Sequence, residues 1–414
     1  MRSRRKAGRA VCTVNFAAWL LGAALLAGCA SPGAGRSASG TRIDPKVLVE
    51  ASEKVRLRGI PEPLRADFVR LYSEGRQNSV LHAMQAGLRA LRLGYGDLAR
   101  EALDQAIAEV EALQEGTAQA RRAKSRFVGE REKWFKGEHY ERSALYFYRG
   151  LIYLMDEDFD NAAASFKRAQ IEDITGDDAP DFAGDWLAAE WGLALASVKA
   201  GRPADAAEAR RRAGGFARRV PDAAWPVADV DTLVVVEAGR APWKSRGGKF
   251  GEQLVITERA SAVAAVEVAA VKQPVLEDIY HQASTRGTRQ VDYILGEKAS
   301  FKEDTGNAAL GLGVAAVAAA QTRTDEGAIA AGVLGLAALG TAIASAATQP
   351  EADIRSWDVL PAAVFMVALR TGGAALEVRG LDGSGQLVNR AEVAGVGQNS
   401  GQKAWRVVFV RFPE

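Results

Sequence analysis

Cysteine is almost missing from this chain of 414 residues: only Cys12 and Cys29 occur, both near the start. Nothing downstream can form a disulfide, supply a catalytic thiolate or build a cysteine-based metal site. Histidine is nearly as scarce, and His82, His139 and His281 lie far apart, so no sequence-local cluster of imidazoles exists. Charge of one sign is also lacking. Lys and Arg total 53 against 51 Asp and Glu, which leaves no global field to draw in nucleic acid. A P-loop, an HExxH pair and a GxSxG elbow are absent as well. Gly311-Leu-Gly313-Val-Ala-Ala316 matches a dinucleotide pattern on paper, but no strand precedes it and it sits in an Ala/Gly-rich run. Asp156-Glu-Asp158-Phe-Asp160 begins like a calcium loop and then puts Asn161 where glycine is needed and Lys167 where the bidentate acid belongs. These absences argue against an enzyme and call for neither a cofactor nor a metal.

What is present begins at the N-terminus. Arg2, Arg4, Arg5, Lys6 and Arg9 precede an apolar run from Phe16 to Leu26, and Leu26-Ala27-Gly28-Cys29 follows. A basic end, an apolar stretch and small residues form a secretory signal. The Leu-Ala-Gly-Cys ending resembles the bacterial lipobox, which implies that residues 1–28 are a lipoprotein signal peptide and that Cys29 is acylated as the new N-terminus. The alternatives are an ordinary signal peptide with an incidental cysteine, or a short membrane anchor. Removing residues 1–28 leaves 48 of the basic residues against 51 acidic ones, a formal charge of −3. Residues 29–43 have little to bury and read as a flexible tether. No Asp follows Cys29, which resembles lipoproteins sorted to the outer membrane, facing the periplasm.

Residues 44–220 are rich in Ala, Leu, Arg and Glu and read as helices. A repeat runs through them. From Gly87 and from Gly150, alanine recurs at +12 (Ala99, Ala162) and +19 (Ala106, Ala169), with a bulky apolar residue at +16 (Leu103, Phe166). A weaker copy fits Ala194, Gly201, Ala206 and Ala213. The spacing resembles the tetratricopeptide repeat, with an extra helix or a lost repeat expected around Leu113 to Trp134; the alternative is an Ala-rich helical bundle.

After Pro221 and Pro226 the pattern changes. Leu233–Glu237, Leu254–Thr257, Val263–Val271, Val364–Leu369, Ala375–Arg379 and Trp405–Phe412 are short, valine-rich and bounded by Gly, Asp or Pro, so they read as strands. The β-rich part is expected in two pieces, 229–305 and 349–414, with Gly383-Ser-Gly385 as a hairpin turn. Between them, 306–348 reads as a Gly/Ala-rich helical hairpin, with Gln321–Glu326 as its polar tip. Gly327, Gly332, Gly335 and Gly340 are its candidate helix-packing residues, since small residues four apart permit close backbone approach. The fold class expected is therefore α+β and multidomain: a tetratricopeptide-like solenoid, then a β-rich domain interrupted by the hairpin.

Three blocks carry a family resemblance: Lys136-Gly-Glu-His-Tyr-Glu-Arg142 with Tyr146-Phe-Tyr148, Val234 to Lys244, and Ala352 to Pro361. In this order they resemble a widespread, uncharacterised family of bacterial tetratricopeptide-containing envelope lipoproteins. The resemblance implies a helical repeat domain and a β-rich domain in the periplasm, and supplies no reaction. Ile354 stands where a small polar residue is expected, and the hairpin is longer and richer in glycine. From these blocks Glu138, Tyr140, Glu141, Arg142, Lys244, Arg355 and Trp357 are candidate partner-binding residues. Each also has a structural reading: a helix start for the first four, a turn after a strand for Lys244, and a cap between hairpin and sheet for Arg355 and Trp357.

The function expected is a lipid-anchored scaffold or adaptor that binds an envelope protein in envelope assembly, wall-synthesis control or export. The alternative is a membrane-active or oligomerising component acting through the hairpin. Partners would be that protein, the bilayer through Cys29 and, as a further candidate, a second copy of the chain.

Overall fold

The computed structural model describes residues 37–38, 40, 42–114, 133–174, 182–216, 220, 223–285, 290–321, 324–347, 351–395 and 405–413. The signal segment, Cys29, most of the tether and most of the Leu113–Trp134 stretch lie outside the described residues.

The first half is helical: α1 (Pro45–Leu57), α2 (Arg65–Ser73), α3 (Ser79–Arg92), α4 (Gly96–Gln114), α5 (His139–Met155), α6 (Phe159–Ile174), α7 (Leu187–Lys199) and α8 (Pro203–Ala213). Proline opens α1 and α8, where its fixed φ suits a helix start and its missing N–H costs nothing, and the Asp44 carboxylate caps α1 by accepting from the Lys46 amide. The pairs α3/α4, α5/α6 and α7/α8 are joined by the same tight turn. In each, an amide reaches back to the carbonyl five residues before it: Tyr95 to Ala90, Asp158 to Tyr153 and Arg202 to Ser197. The residue just before that amide is left-handed each time, Gly94 (φ 79°), Glu157 (φ 60°) and Gly201 (φ 72°). Glutamate thus occupies a conformation that its neighbours in the repeat give to glycine.

The small and large positions of the repeat meet as their spacing predicts. A Cβ on Gly87 would lie 2.5 Å from Leu103, and one on Gly150 or on Gly192 would lie 2.7 Å from Phe166. The Phe166 ring is therefore held between a glycine of its own pair and a glycine of the next.

The strands are β1 (Thr232–Ala238), β2 (Trp243–Gly247), β3 (Gln253–Thr257), β4 (Ala265–Val268), β5 (Val271–Pro274), β6 (Glu277–Asp278), β7 (Ala363–Leu369), β8 (Leu376–Leu381), β9 (Leu387–Val393) and β10 (Arg406–Phe412). A central sheet has the order β10-β1-β7-β6, with β1 parallel to β10 and antiparallel to β7. A second, antiparallel sheet has the order β5-β4-β8-β9, and β2 pairs with β3 alone. Every residue of β1 is buried, which explains its unbroken Leu-Val-Val-Val run. Leu233, Val235, Val364 and Met366 join the helices in one apolar core; Val234, Val236, Phe365 and Val367 face Val266, Val268 and Val378 of the second sheet. Helices, central sheet and second sheet therefore stack as three layers, and the helical part shares its core with the central sheet.

A short helix α9 (Ile279–Ser284) leads to the long hairpin α10 (Gln290–Gln321) and α11 (Asp325–Ala347). The chain is thus mixed helix and sheet with several sheets, as expected in outline. Details differ. The single strand expected over Val263–Val271 is two, β4 and β5, reversed by Ala269 and Ala270, both at positive φ. Strands β2, β6 and β9 were not foreseen. The hairpin begins at Gln290, so residues 290–305 belong to it rather than to the β-rich part. Those residues carry Asp292, Glu297, Lys298, Lys302, Glu303 and Asp304, so a search for an apolar run finds only the far part of the helix. The Gly383–Gly385 turn forms as expected, with Asp382 accepting from the Ser384 and Gln386 amides.

Candidate functional site

The three sequence blocks meet at the first turn of α5. Glu141 lies at the third position of that helix, and its Oε2 accepts from the Glu138 amide at 2.7 Å. The same oxygen pairs with Lys244 Nζ of β2 at 3.0 Å, while Oε1 accepts from the Trp357 amide at 2.8 Å. Lys244 also donates to the Arg355 carbonyl at 3.3 Å and lies 5.2 Å from the centre of the Tyr140 ring. One carboxylate thus ties together a helix start, a strand and the segment after the hairpin. Glu141 is fully buried and Lys244 nearly so.

Arg355 extends the junction. Its guanidinium pairs with Asp353 and donates to Asn78 Oδ1 at 2.8 Å, to the Gln77 carbonyl at 3.3 Å and to the Lys133 carbonyl at 2.9 Å. The planar fork suits such divided contacts. Arg142 Nε pairs with Glu172 Oε2 at 2.7 Å, and its Nη1 donates to the Gly137 carbonyl at 2.6 Å. Burial pushes the Glu172 carboxyl up, but Arg142, Gln114 and Arg168 outweigh it and hold the group below its ordinary value. Trp357 packs edge-on against Tyr148, their centres 5.9 Å apart.

The candidate partner-binding set is therefore an internal junction. Tyr140, Glu141, Arg142, Lys244, Arg355 and Trp357 are all buried, and Glu138 is half-buried at the helix start. Buried side chains offer a partner no surface; Glu138, Tyr140, Glu141 and Arg142 lie at a helix start, whereas Lys244 lies within β2 rather than in a turn after a strand. Arg355 and Trp357 pack against the helices and β2 rather than capping the long hairpin.

Two further polar clusters escaped the sequence. Glu237 of β1 accepts from Tyr148 Oη and Arg92 Nε, both at 2.5 Å. Burial first, then the nearby carboxylate, pushes the Tyr148 hydroxyl well above its ordinary value, which keeps it a donor. Asp185 accepts from Gln282 at 2.9 Å and contacts His281 Nε2 at 2.8 Å, and Glu277 caps α7 through the Ala188 amide at 3.1 Å. A lone carboxylate inside Leu-Val-Val-Val-Glu-Ala was the one available signal. His281 has an acid beside it but meets the Phe182 ring at its edge. Among the described residues no group of three or more His, Cys, Asp or Glu could hold a metal.

Two open features contrast with these closed ones. A groove of about 410 Å³ runs between α1, α2, α3 and α4, lined among others by Glu50, Lys54, Tyr72, Arg76, Gln105 and Glu109. The long hairpin carries the second, a nearly apolar groove of about 700 Å³ between α10 and α11. Gly335 lines it, and a Cβ there would meet nothing within 4 Å. Within the single chain the missing side chain of Gly335 therefore leaves open space beside the helix. Gly327, Gly332 and Gly340 belong to α11, but their surroundings lie outside the described residues. Among the described residues no helix is long and apolar enough to cross a membrane.

No protein-family model matches the chain, and no curated protein or solved structure is significantly similar to it.

Proposed function

We propose that this chain is a lipid-anchored scaffold or adaptor of a bacterial envelope, held through acylated Cys29 in the outer membrane and facing the periplasm. Its helical pairs act as a short tetratricopeptide-like array that receives a segment of an envelope protein, in envelope assembly, wall-synthesis control or export. It is read as a member of the uncharacterised lipoprotein family that its three sequence blocks resemble. The observation that carries the reading is a division of labour among polar side chains. Those best suited to chemistry (Glu141, Lys244, Glu237, Tyr148, Asp185 and His281) hold internal contacts, whereas open polar surface lies in the groove between α1 and α4. That groove mixes Glu50 and Glu109 with Lys54 and Arg76, so it suits a polar peptide of mixed charge.

The test is crosslinking of the full-length protein in intact cells, followed by identification of what is captured. The expected result is one dominant envelope protein, lost in Lys54→Glu/Arg76→Glu and reduced when Cys29→Ala removes the anchor. Capture unaffected by the charge reversals, or no captured protein besides the chain itself, would contradict this reading.

A further inference from the structure

We propose that the α10/α11 hairpin is a self-association element whose occupant is the hairpin of a second copy of this chain. This goes beyond the scaffold reading and does not depend on the groove between α1 and α4.

The packing of the hairpin is inverted. Gly306 faces Ser345 across the two helices, and Ser345 Oγ donates across to the Lys302 carbonyl at 2.8 Å. Leu312 and Leu334 are half-buried, while seven large side chains of the pair are exposed. On α10 these are Leu310, Val314 and Val317; on α11 they are Ile329, Val333, Leu336 and Leu339. All are between 58 % and 72 % exposed. A helix pair that ends at water does the reverse, as α5 and α6 do with Phe166.

The outward residues have a pattern. Leu310, Val314 and Val317 follow a four-then-three spacing, and so do Ile329, Val333 and Leu336. That is the period of a seam between helices. The remaining described exposed positions nearby, including Ala315, Ala318, Ala330 and Ala337, are small. Lipid would surround every face, whereas here each helix has one stripe of large side chains bordered by shallow ones. The same hairpin also carries a recess, the 700 Å³ groove lined by Gly306, Ala309, Gly313, Ala316, Gly335 and Ala338, with Leu310 and Leu339 of the exposed set on its wall. A Cβ on Gly313 or Gly335 would touch nothing. Ridge and groove on one molecule are complementary parts of an interface between copies.

The area fits as well. A fully buried Leu, Val or Ile side chain removes roughly 60–120 Å² of apolar surface. At their exposures the seven side chains offer about 300–550 Å² per copy, the size of the largest apolar patch on a monomer, which is often functional. The alanine and glycine surface between them extends this towards the roughly 800 Å² per partner of a stable interface.

Sedimentation equilibrium of the full chain in nonionic detergent tests the proposal, together with flotation on vesicles of phosphatidylethanolamine and phosphatidylglycerol. The wild type should sediment at no less than twice the mass of one chain. Val333→Lys/Leu336→Lys should weaken self-association at least tenfold. Gly313→Leu/Gly335→Leu, which fills the recess and favours helix, should do the same with unchanged circular dichroism, so a folding defect in the lysine variant does not decide the matter. A single-chain mass in the wild type, or an unchanged multimer in the recess-filling variant, overturns the proposal. Flotation lost in the lysine variant with mass unchanged also overturns it and makes the bilayer the occupant. Partner capture through the α1–α4 groove should survive in both variants, so failure here is distinct from failure of the scaffold reading.

Discussion

The helical pair α5/α6 and the helical pair α10/α11 are built from similar small residues to opposite ends. In α5/α6, Gly150 is small because Phe166 fills the space beside it, and Gly192 of the next helix closes on the same ring. In α10/α11, Gly313 and Gly335 are small and the space beside them stays open, while leucine and valine face outward. A glycine in a helix therefore says nothing by itself. What matters is whether a large neighbour occupies the volume it vacates.

The comparison can be broken first at the anchor of α5. Glu141→Ala leaves Lys244 charged and unpaired in the core, and should cost about 3–5 kcal/mol in chemical denaturation. Replacing both, as Glu141→Leu with Lys244→Met, should recover much of that loss. A Glu141→Ala change costing under about 1 kcal/mol, the range of an exposed pair, would mean the junction does not hold the helices to the sheet. The hairpin has no such buried pair among its described residues, so its helicity should outlast that of α5.

Alanine at glycine positions sharpens the contrast, because its sign should reverse between the two pairs. Gly150→Ala forces a Cβ against Phe166 and should destabilise by about 1–3 kcal/mol. Gly335→Ala meets nothing and should stabilise its helix by about 0.5–1 kcal/mol. Thermal melts of the two variants give the comparison directly, and equal signs would refute it. A smaller effect is expected at Glu157, whose left-handed backbone falls to glycine in the other two turns. Glu157→Gly should stabilise by about 1 kcal/mol, read by the same melts.

Acid should also separate the two halves. Burial raises the carboxyls of Glu74 and Glu172, but His82 on the first and Arg142 on the second prevail and hold both below the ordinary 4.5. A depressed carboxyl stabilises the fold above its unfolded value and loses that contribution as pH falls through its folded value. Stability of the helical half should therefore be full above about pH 5 and decline below 4.5, and Glu172→Gln should flatten the decline. From Thr305 to Thr322 and from Gly327 to Pro350 the hairpin has no ionisable side chain, so its helical signal should persist.

Much of the architecture was legible because it rests on local rules. The +12, +16 and +19 spacing located the helix pairs, and the valine runs located most of the strands that later proved central. Strand β9, Leu-Val-Asn-Arg-Ala-Glu-Val, was missed because an outer strand needs few apolar residues. The Ala269–Ala270 turn was missed because alanine rarely takes positive φ. The seven block residues stood out as candidates for binding a partner, and their burial was not legible. Whether Glu141 faces water or Lys244 depends on contacts about a hundred residues apart, and no local pattern carries that information. Glu237 and His281 went unseen for the same reason. The hairpin was recognised from composition, yet the outward direction of its large side chains appears only once the two helices are set side by side.

The most direct test of the central claim, that the hairpin is turned outward to meet another copy, is a photoreactive residue at position 336 in the full chain in living cells, with position 151 as the buried control. The account predicts that position 336 yields a crosslinked dimer of this chain through α10 or α11, and that position 151 yields none. Crosslinks from position 336 to lipid alone, or to α5–α8 of the same chain, would contradict it.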